Sequence, residues 1–142
     1  MALDFNTYGV KGNEFLSYLE DNLRSTDRPH AARILRSTFR VLRNHLSFEE
    51  SFQLLSQLPM AIKAVYVDGW KIAEHKKIKT VDDFVNEIIR EDGNNAWRDF
   101  GSKAEIIDCV RAVMDTMRMY VSKEEISQAI NTLPDNVKTI FK

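Results

Sequence analysis

Cysteine is nearly absent from this 142-residue sequence, which contains Cys109 alone. A single cysteine excludes an intramolecular disulfide and a thiol cluster that could hold a metal or run a redox cycle, and it fits a reducing compartment. Glycine occurs five times and proline three times. Because these breaking residues are few and the apolar spacings are helical throughout, the sequence predicts an all-α fold.

An excess of charge of one sign and long apolar runs are also missing. Twenty basic and twenty-one acidic residues give a formal charge of -1, so no global field attracts nucleic acid or an anionic membrane. No run approaches the ~20 apolar residues of a membrane span, and residues 1–12 lack the apolar stretch of a signal peptide. We expect a single domain, residues 1–142, located in the cytoplasm.

Positions 75 residues apart match along much of the chain. The helix start Ser47-Phe48-Glu49-Glu50 aligns with Ser122-Lys123-Glu124-Glu125, and Leu58-Pro59 aligns with Leu133-Pro134. The same offset pairs Arg36 with Arg111, Arg43 with Arg118 and Lys63 with Lys138. These matches predict a tandem duplication, with repeats at residues 12–66 and 80–141 joined by a connector at residues 67–79.

Each repeat predicts a helix, a long helix, a third helix, a Leu-Pro break and a short closing helix, because the residue before proline avoids the α region. We expect about eight helices in one globular domain with pseudo-two-fold symmetry and with the closing helices packed on each other. Six extra residues fall between 92 and 101 in the second repeat, where we expect a loop that carries Trp97. Trp70 is expected to be buried between the repeats.

Four arginines define the candidate interaction surface on the first long helix. Arg33, Arg36, Arg40 and Arg43 are spaced 3, 4 and 3 residues apart and therefore share one helix face. Such a stripe can bind phosphates or an acidic partner, whereas the alternative is a solvated face paired with carboxylates of the preceding helix, Glu14, Glu20 or Asp21. Tyr66 and Trp70 extend the candidate surface, since aromatic residues are favoured at interface cores.

No arrangement of residues predicts a catalytic, cofactor or metal site. His30, His45 and His75 are scattered, and Cys109 shares the apolar side of its helix, where a free thiol behaves as a small apolar group. The acidic pairs Glu49-Glu50, Asp82-Asp83 and Glu124-Glu125 lie in first helical turns, where acidic side chains stabilise the helix dipole.

Gln57-Leu58-Pro59, followed by Tyr66 and Gly69-Trp70, resembles the signature of the bacterial domain-of-unknown-function family 2267 (DUF2267). Phe15-Leu16, the arginine-bearing helix, Leu46-Ser47-Phe48-Glu49-Glu50 and the ending Ile140-Phe141 resemble further parts of that family's pattern. Family members often carry Arg-Gly before the tyrosine, where this chain has Lys63-Ala64-Val65. The resemblance covers essentially the whole chain and implies no activity.

Three functions are compatible with these observations. The first is a non-enzymatic helical module that binds another macromolecule, a protein in our interpretation, through the arginine face or the Tyr66–Trp70 edge. The second is an enzyme with a site assembled between the repeats, without a local motif. The third is nucleic-acid binding through the arginine stripe, which the overall charge disfavours.

Overall fold

A computed structural model of the chain describes residues 4–71 and 79–141, apart from the side chains of residues 97 and 98. His75, most of the predicted connector and the Trp97 side chain lie outside the described residues. The described residues contain no β-strand, and the predicted all-α class is confirmed. The helices are α1 Phe5–Leu23, α2 Arg28–His45, α3 Phe48–Ser56, α4 Met60–Val67, α5 Val81–Asp92, α6 Ala96–Asp99, α7 Lys103–Met117, α8 Lys123–Asn131 and α9 Asp135–Lys138.

Helix starts follow the cap residues of the sequence. Asp27 caps α2 by accepting a hydrogen bond from the backbone of His30, and Ser47 and Ser122 cap α3 and α8. A reciprocal capping box stands at the start of α5, where the Thr80 side chain accepts from the backbone of Asp83 and the Asp83 side chain accepts from the backbone of Thr80.

Two regions differ from the expected boundaries. Helix α1 begins at Phe5, before the predicted repeat, because Asp4 accepts a hydrogen bond from the backbone of Asn6 and caps the helix. The extra segment between 92 and 101 is mostly helical rather than a loop. Gly93 ends α5 in a positive-φ conformation (65°), after which one 3-10 turn, Gly93–Asn95, leads into α6.

Contacts between the first half (residues 4–71) and the second half (residues 79–141) are reciprocal. Helix α1 of the first half packs on the long helix α7, and the long helix α2 packs on α5 of the second half. Helices α3 and α8 also pack on each other. A two-fold relation between repeats would produce such contacts, although superposition of the two repeats stays a prediction.

The closing helices lie elsewhere than we expected. Helix α4 packs on α1 and α2, whereas α9 and the 3-10 turn Thr139–Phe141 pack on α5 and α7. Each closing helix therefore covers its own half, because the larger apolar faces of the long helices already join the halves. Buried apolar residues of both halves form one continuous core.

Helices α1 and α4 approach closely at Gly12. A Cβ atom added there would lie 2.7 Å from the Cβ of Ala61, so only glycine fits without a shift of one helix. None of the described helices is long and apolar enough to cross a membrane.

Candidate functional site

The four arginines of the predicted stripe lie on α2 in four different environments. Arg33 donates two hydrogen bonds to the carboxylate of Asp99, at 2.9 and 2.7 Å. Arg36 is exposed, Arg40 lies 3.9 Å from a glutamate of α5, and Arg43 is buried. The stripe is therefore not a uniform basic surface.

Acidic side chains of α5 and α6 face α2 along its length, and we call this contact the α2–α5 seam. Its pairs are His30 with Asp99 (2.9 Å), Arg33 with Asp99, Ser37 with Asp92 (3.4 Å), Arg40 with Glu91 and His45 with Glu87 (2.7 Å). The solvated-face alternative had carboxylates of the preceding helix as partners. The partners come from the second half instead, because the arginine face of α2 is turned toward α5, and Glu20 binds Arg28.

Arg43 binds the end of α4. Its Nη1 donates to the carbonyl oxygens of Tyr66 at 2.9 Å and Asp68 at 2.7 Å. These carbonyls lie at a helix C-terminus, where they lack partners within the helix. Burial lowers the pKa of the guanidinium, and nearby Arg40 lowers it further. Arg43 therefore holds the α4 end in place and offers no exposed cation.

The equivalent bond exists in the second half. Arg118, 75 positions after Arg43, donates to the carbonyl oxygen of Phe141, 75 positions after Tyr66. In both halves an arginine near the end of the long helix thus binds the carbonyl of an aromatic residue near the end of the closing segment.

Tyr66 belongs to the core rather than to a surface. It is fully buried, its ring centroid lies 4.9 Å from that of Phe39, and its hydroxyl forms a 2.8 Å hydrogen bond with the Ser51 hydroxyl. Burial raises the pKa of the phenol. Of the predicted Tyr66–Trp70 edge, only Trp70 reaches the surface.

Trp70 packs on aromatic residues of its own half and is partly buried. Its ring stacks on Phe48, with centroids 5.3 Å apart, and Phe48 in turn contacts Phe52 at 4.6 Å. The side chains of Phe48, Phe52 and Val67 are 43%, 48% and 43% exposed. We call Phe48, Phe52, Val67 and Trp70 the aromatic patch.

A second feature is the pair of carboxyl groups that bounds the extra segment. Asp92 and Asp99 are both buried, and they meet α2 one turn apart, at Ser37 and at Arg33. Burial raises the pKa of Asp92 to about 6, and the neighbouring Asp99 adds to the effect. Burial would also raise the pKa of Asp99, but hydrogen bonds from Arg33, Asp92 and His30 outweigh it and lower that pKa.

A smaller cleft of about 310 Å³ is lined by Arg24, Asp108 and Cys109. Cys109 is partly buried, and burial, with the nearby charge of Asp108, raises the pKa of its thiol to about 12. A thiol with such a pKa is a weak nucleophile. Among the described residues no group of three or more histidine, cysteine or acidic side chains is placed to hold a metal ion.

A groove of about 1000 Å³ lies between α5, the extra segment and the start of α7. Its apolar lining includes Val85, Ile89, Ala96, Phe100 and Ile106. The charged residues of the lining, Asp82 and Lys103, form an ion pair. The groove thus offers apolar surface, with no cluster of titratable groups among the lining residues.

Sequence reasoning missed Phe48 and Phe52 as surface residues. They are four positions apart on α3 and so share a helix face, whereas the buried side of α3 carries Leu54 and Leu55. The 75-residue offset contained the sequence signal for their exposure, because it aligns Phe48 with Lys123 and Phe52 with Ser127, which are both polar.

Among curated proteins none matches this chain at a significant level. Residues 12–140 match a family model described as an uncharacterized conserved protein, DUF2267. This match covers nearly the whole chain and confirms the resemblance that the Gln57-Leu58-Pro59 segment indicates, so the chain belongs to the DUF2267 family.

Proposed function

We propose that this protein is a non-enzymatic helical module that binds another protein through the aromatic patch. The observation that carries the proposal is the contact of Phe48 with both Phe52 and Trp70 on the surface of α3, with about half of each phenylalanine exposed. Contiguous exposed apolar residues mark interaction sites, and tryptophan is enriched among residues that dominate binding energy.

The patch is held in a fixed arrangement by the residues beneath it. Arg43 binds the carbonyl of Asp68, Gly69 turns the chain with a positive φ of 67°, and the amide of Trp70 donates to the carbonyl of Val67 at 3.0 Å. The edge of the Trp70 ring also meets buried Tyr66. Because these contacts order Trp70 before binding, less conformational entropy is lost when a partner binds.

A tandem duplication would place polar residues of the second repeat at the positions that match the patch. Under the proposed tandem repeat, Phe48 and Phe52 correspond to Lys123 and Ser127, which are exposed and polar. An apolar surface on α3 with polar residues at the matching positions of α8 favours a specific site on α3, since the two helices pack on each other.

The alternatives have less support. Nucleic-acid binding through the stripe would require exposed guanidinium groups, but Arg33 binds Asp99 and Arg43 is buried. In the groove between α5 and α7, the carboxylate of Asp82 is paired with Lys103 and the Ser102 hydroxyl caps α7, so the described lining offers an enzyme no activated nucleophile or free base. The single cysteine is consistent with action in the cytoplasm.

Site-specific photocrosslinking tests the proposal. A benzoylphenylalanine in place of Phe52 would be compared, in the source cells, with the same residue in place of Ser127. Both positions are exposed and lie on the same turn of equivalent helices. We expect discrete protein adducts from position 52 that position 127 does not give. No adduct at position 52, or the same adducts at both positions, would refute the proposal.

A further inference from the structure

The segment 93–101 is attached to the fold at two buried acids. Asp92 ends α5 immediately before this segment, and Asp99 lies within it, in α6. Both face α2 and both are buried. The segment also forms one wall of the large groove through Gly93, Asn94, Ala96, Phe100 and Gly101. Hydrogen bonds to the two acids thus attach this wall of the groove to α2.

The hydrogen bonds at the two acids are unequal. Asp99 accepts from both nitrogens of the Arg33 fork and contacts His30 Nδ1 at 2.9 Å. Asp92 accepts from the Ser37 hydroxyl through Oδ1 at 3.4 Å. Its Oδ2 is buried and has no hydrogen-bond partner among the described residues. Burial and, next, the neighbouring Asp99 raise the pKa of Asp92.

Two ionised carboxylates at this place would leave Oδ2 of Asp92 without a partner and would repel each other. A buried ionised acid without a donor is strongly unfavourable, whereas a protonated Asp92 donates a hydrogen bond to the Asp99 carboxylate. The proton belongs on Asp92, because Arg33 and His30 already stabilise the negative charge of Asp99. This agrees with a pKa that is raised at Asp92 and lowered at Asp99.

We propose that the carboxyl groups of Asp92 and Asp99 share one proton, and that its release to solvent loosens the segment 93–101 from α2 and so opens one wall of the groove. Proton loss replaces one hydrogen bond by the repulsion of two buried carboxylates. The groove wall is the element that can yield, because α2 and α5 each place several residues in the apolar core, whereas the described side chains of the wall contribute Phe100, with Ala96 packed against it.

Other charged or titratable groups near Asp92 come from each neighbouring helix. Helix α2 contributes Arg33 and, through its pair with Glu91, Arg40. Helix α7 contributes the Cys109 thiol, whose pKa is raised by burial and, more weakly, by both acids. The C-terminal turn meets α5 at Phe84, about two turns before Asp92.

The direction of the pH effect follows from the two shifts. Asp92 has a raised pKa in the folded state, so its contribution to stability is complete below pH 4 and is lost as the pH rises through about 6. Asp99 has a lowered pKa, so its contribution is present above pH 4 and is lost in more acidic solution. Between pH 4 and 6 the folded state keeps the Asp92 proton and the unfolded state loses it. Each unit of pH increase in this range therefore raises the equilibrium constant for unfolding by up to about tenfold.

Carbon-13 NMR of the aspartate carboxyl groups in the full chain tests the shared proton. We expect the Asp92 signal to titrate with a midpoint near 6, while Asp99 stays ionised over the same range. A midpoint of Asp92 near about 4, the ordinary value of an aspartate in a peptide, would overturn the proposal.

Hydrogen exchange of the wild type and Asp92→Asn tests the opening of the wall. Asparagine keeps the donor to Asp99 at every pH, so the variant should hold the segment closed. After correction for intrinsic rates, wild-type amides of residues 93–101 should exchange faster at pH 7.5 than at pH 5, whereas Asp92→Asn should show no such change. The adjacent Glu91→Gln variant is the control and should behave as the wild type. Equal protection at both pH values in the wild type would refute the coupling.

Discussion

Arg33 and Asp99 form a bidentate pair across 66 positions of sequence, with the carboxylate side chain only 1% exposed. The pair joins α2 of the first half to α6 of the second half. The sequence indicates that Arg33 is part of a basic binding face, but in the structure Arg33 joins the two halves. The other pairs of the α2–α5 seam also join the two halves.

Arg33→Ala should destabilise the fold, because it leaves the buried Asp99 carboxylate without its principal donor. We expect a loss of about 2 to 3 kcal/mol in the free energy of unfolding, below the upper range for broken buried pairs because 22% of the Arg33 side chain is exposed. Arg36→Ala, on the same helix but exposed, should change it by less than about 0.5 kcal/mol. Urea denaturation at pH 7 measures both, and equal losses would contradict the pairing.

Gly12→Ala should lower stability, and Gly9→Ala on the same helix should raise it. Alanine at position 12 gains helix propensity but forces α1 away from Ala61, with overpacking that costs about 1 to 3 kcal/mol. No atom lies within 4 Å of a Cβ added at position 9, so that variant gains up to about 1 kcal/mol. Thermal unfolding of the two variants should shift in opposite directions, and a shift in the same direction would show that the helices are not this close.

Trp70→Ala should lower stability less than Tyr66→Ala. Truncation of the fully buried Tyr66 removes core packing and leaves the Ser51 hydroxyl without its partner, which costs about 3 to 5 kcal/mol. Trp70 is only partly buried, so we expect about 1 to 2 kcal/mol there. Melting temperatures of the two variants give the order, and a larger effect at Trp70 would restore the expectation of a tryptophan buried between the halves.

No nucleic-acid binding is expected at physiological salt. Arg36 is the exposed member of the stripe, and one phosphate contact gives little affinity and a shallow salt dependence. A gel-shift titration with duplex and single-stranded probes should show no complex in the micromolar range for the wild type. Salt-sensitive binding that Arg36→Glu abolishes would contradict this expectation.

Local rules predicted most of the fold from the sequence. Helices begin directly after Ser47 and Ser122, as the matched helix starts predicted, and directly after Pro59 and Pro134, as the Leu-Pro breaks predicted. These features depend on neighbours in sequence, which is why they could be identified. The start of α1 was missed because the repeat comparison begins at residue 12, although Asp4 is an ordinary cap.

The candidate site was harder to predict because it depends on contacts between distant residues. The spacing of the arginines identified one face of α2, but no local pattern shows that α5 and α6 bring Glu91 and Asp99 to that face. The sequence likewise did not predict that Phe48 is exposed. An apolar residue just after a helix cap is compatible with a position in the core and with a position on the surface.

Affinity for a crosslinked partner tests the central claim most directly. Once a protein captured at position 52 is identified, its binding to the purified chain would be measured by calorimetry for the wild type, Phe48→Ser/Phe52→Ser and Ile89→Ser. Ile89 is an exposed apolar residue of the large groove and serves as the matched control.

We predict that the double variant keeps the circular dichroism of the wild type and binds at least about tenfold more weakly, as expected for the loss of central aromatic contacts. Ile89→Ser should bind as the wild type does. Unchanged affinity of the double variant, or a comparable loss with Ile89→Ser, would contradict a role of the aromatic patch in binding.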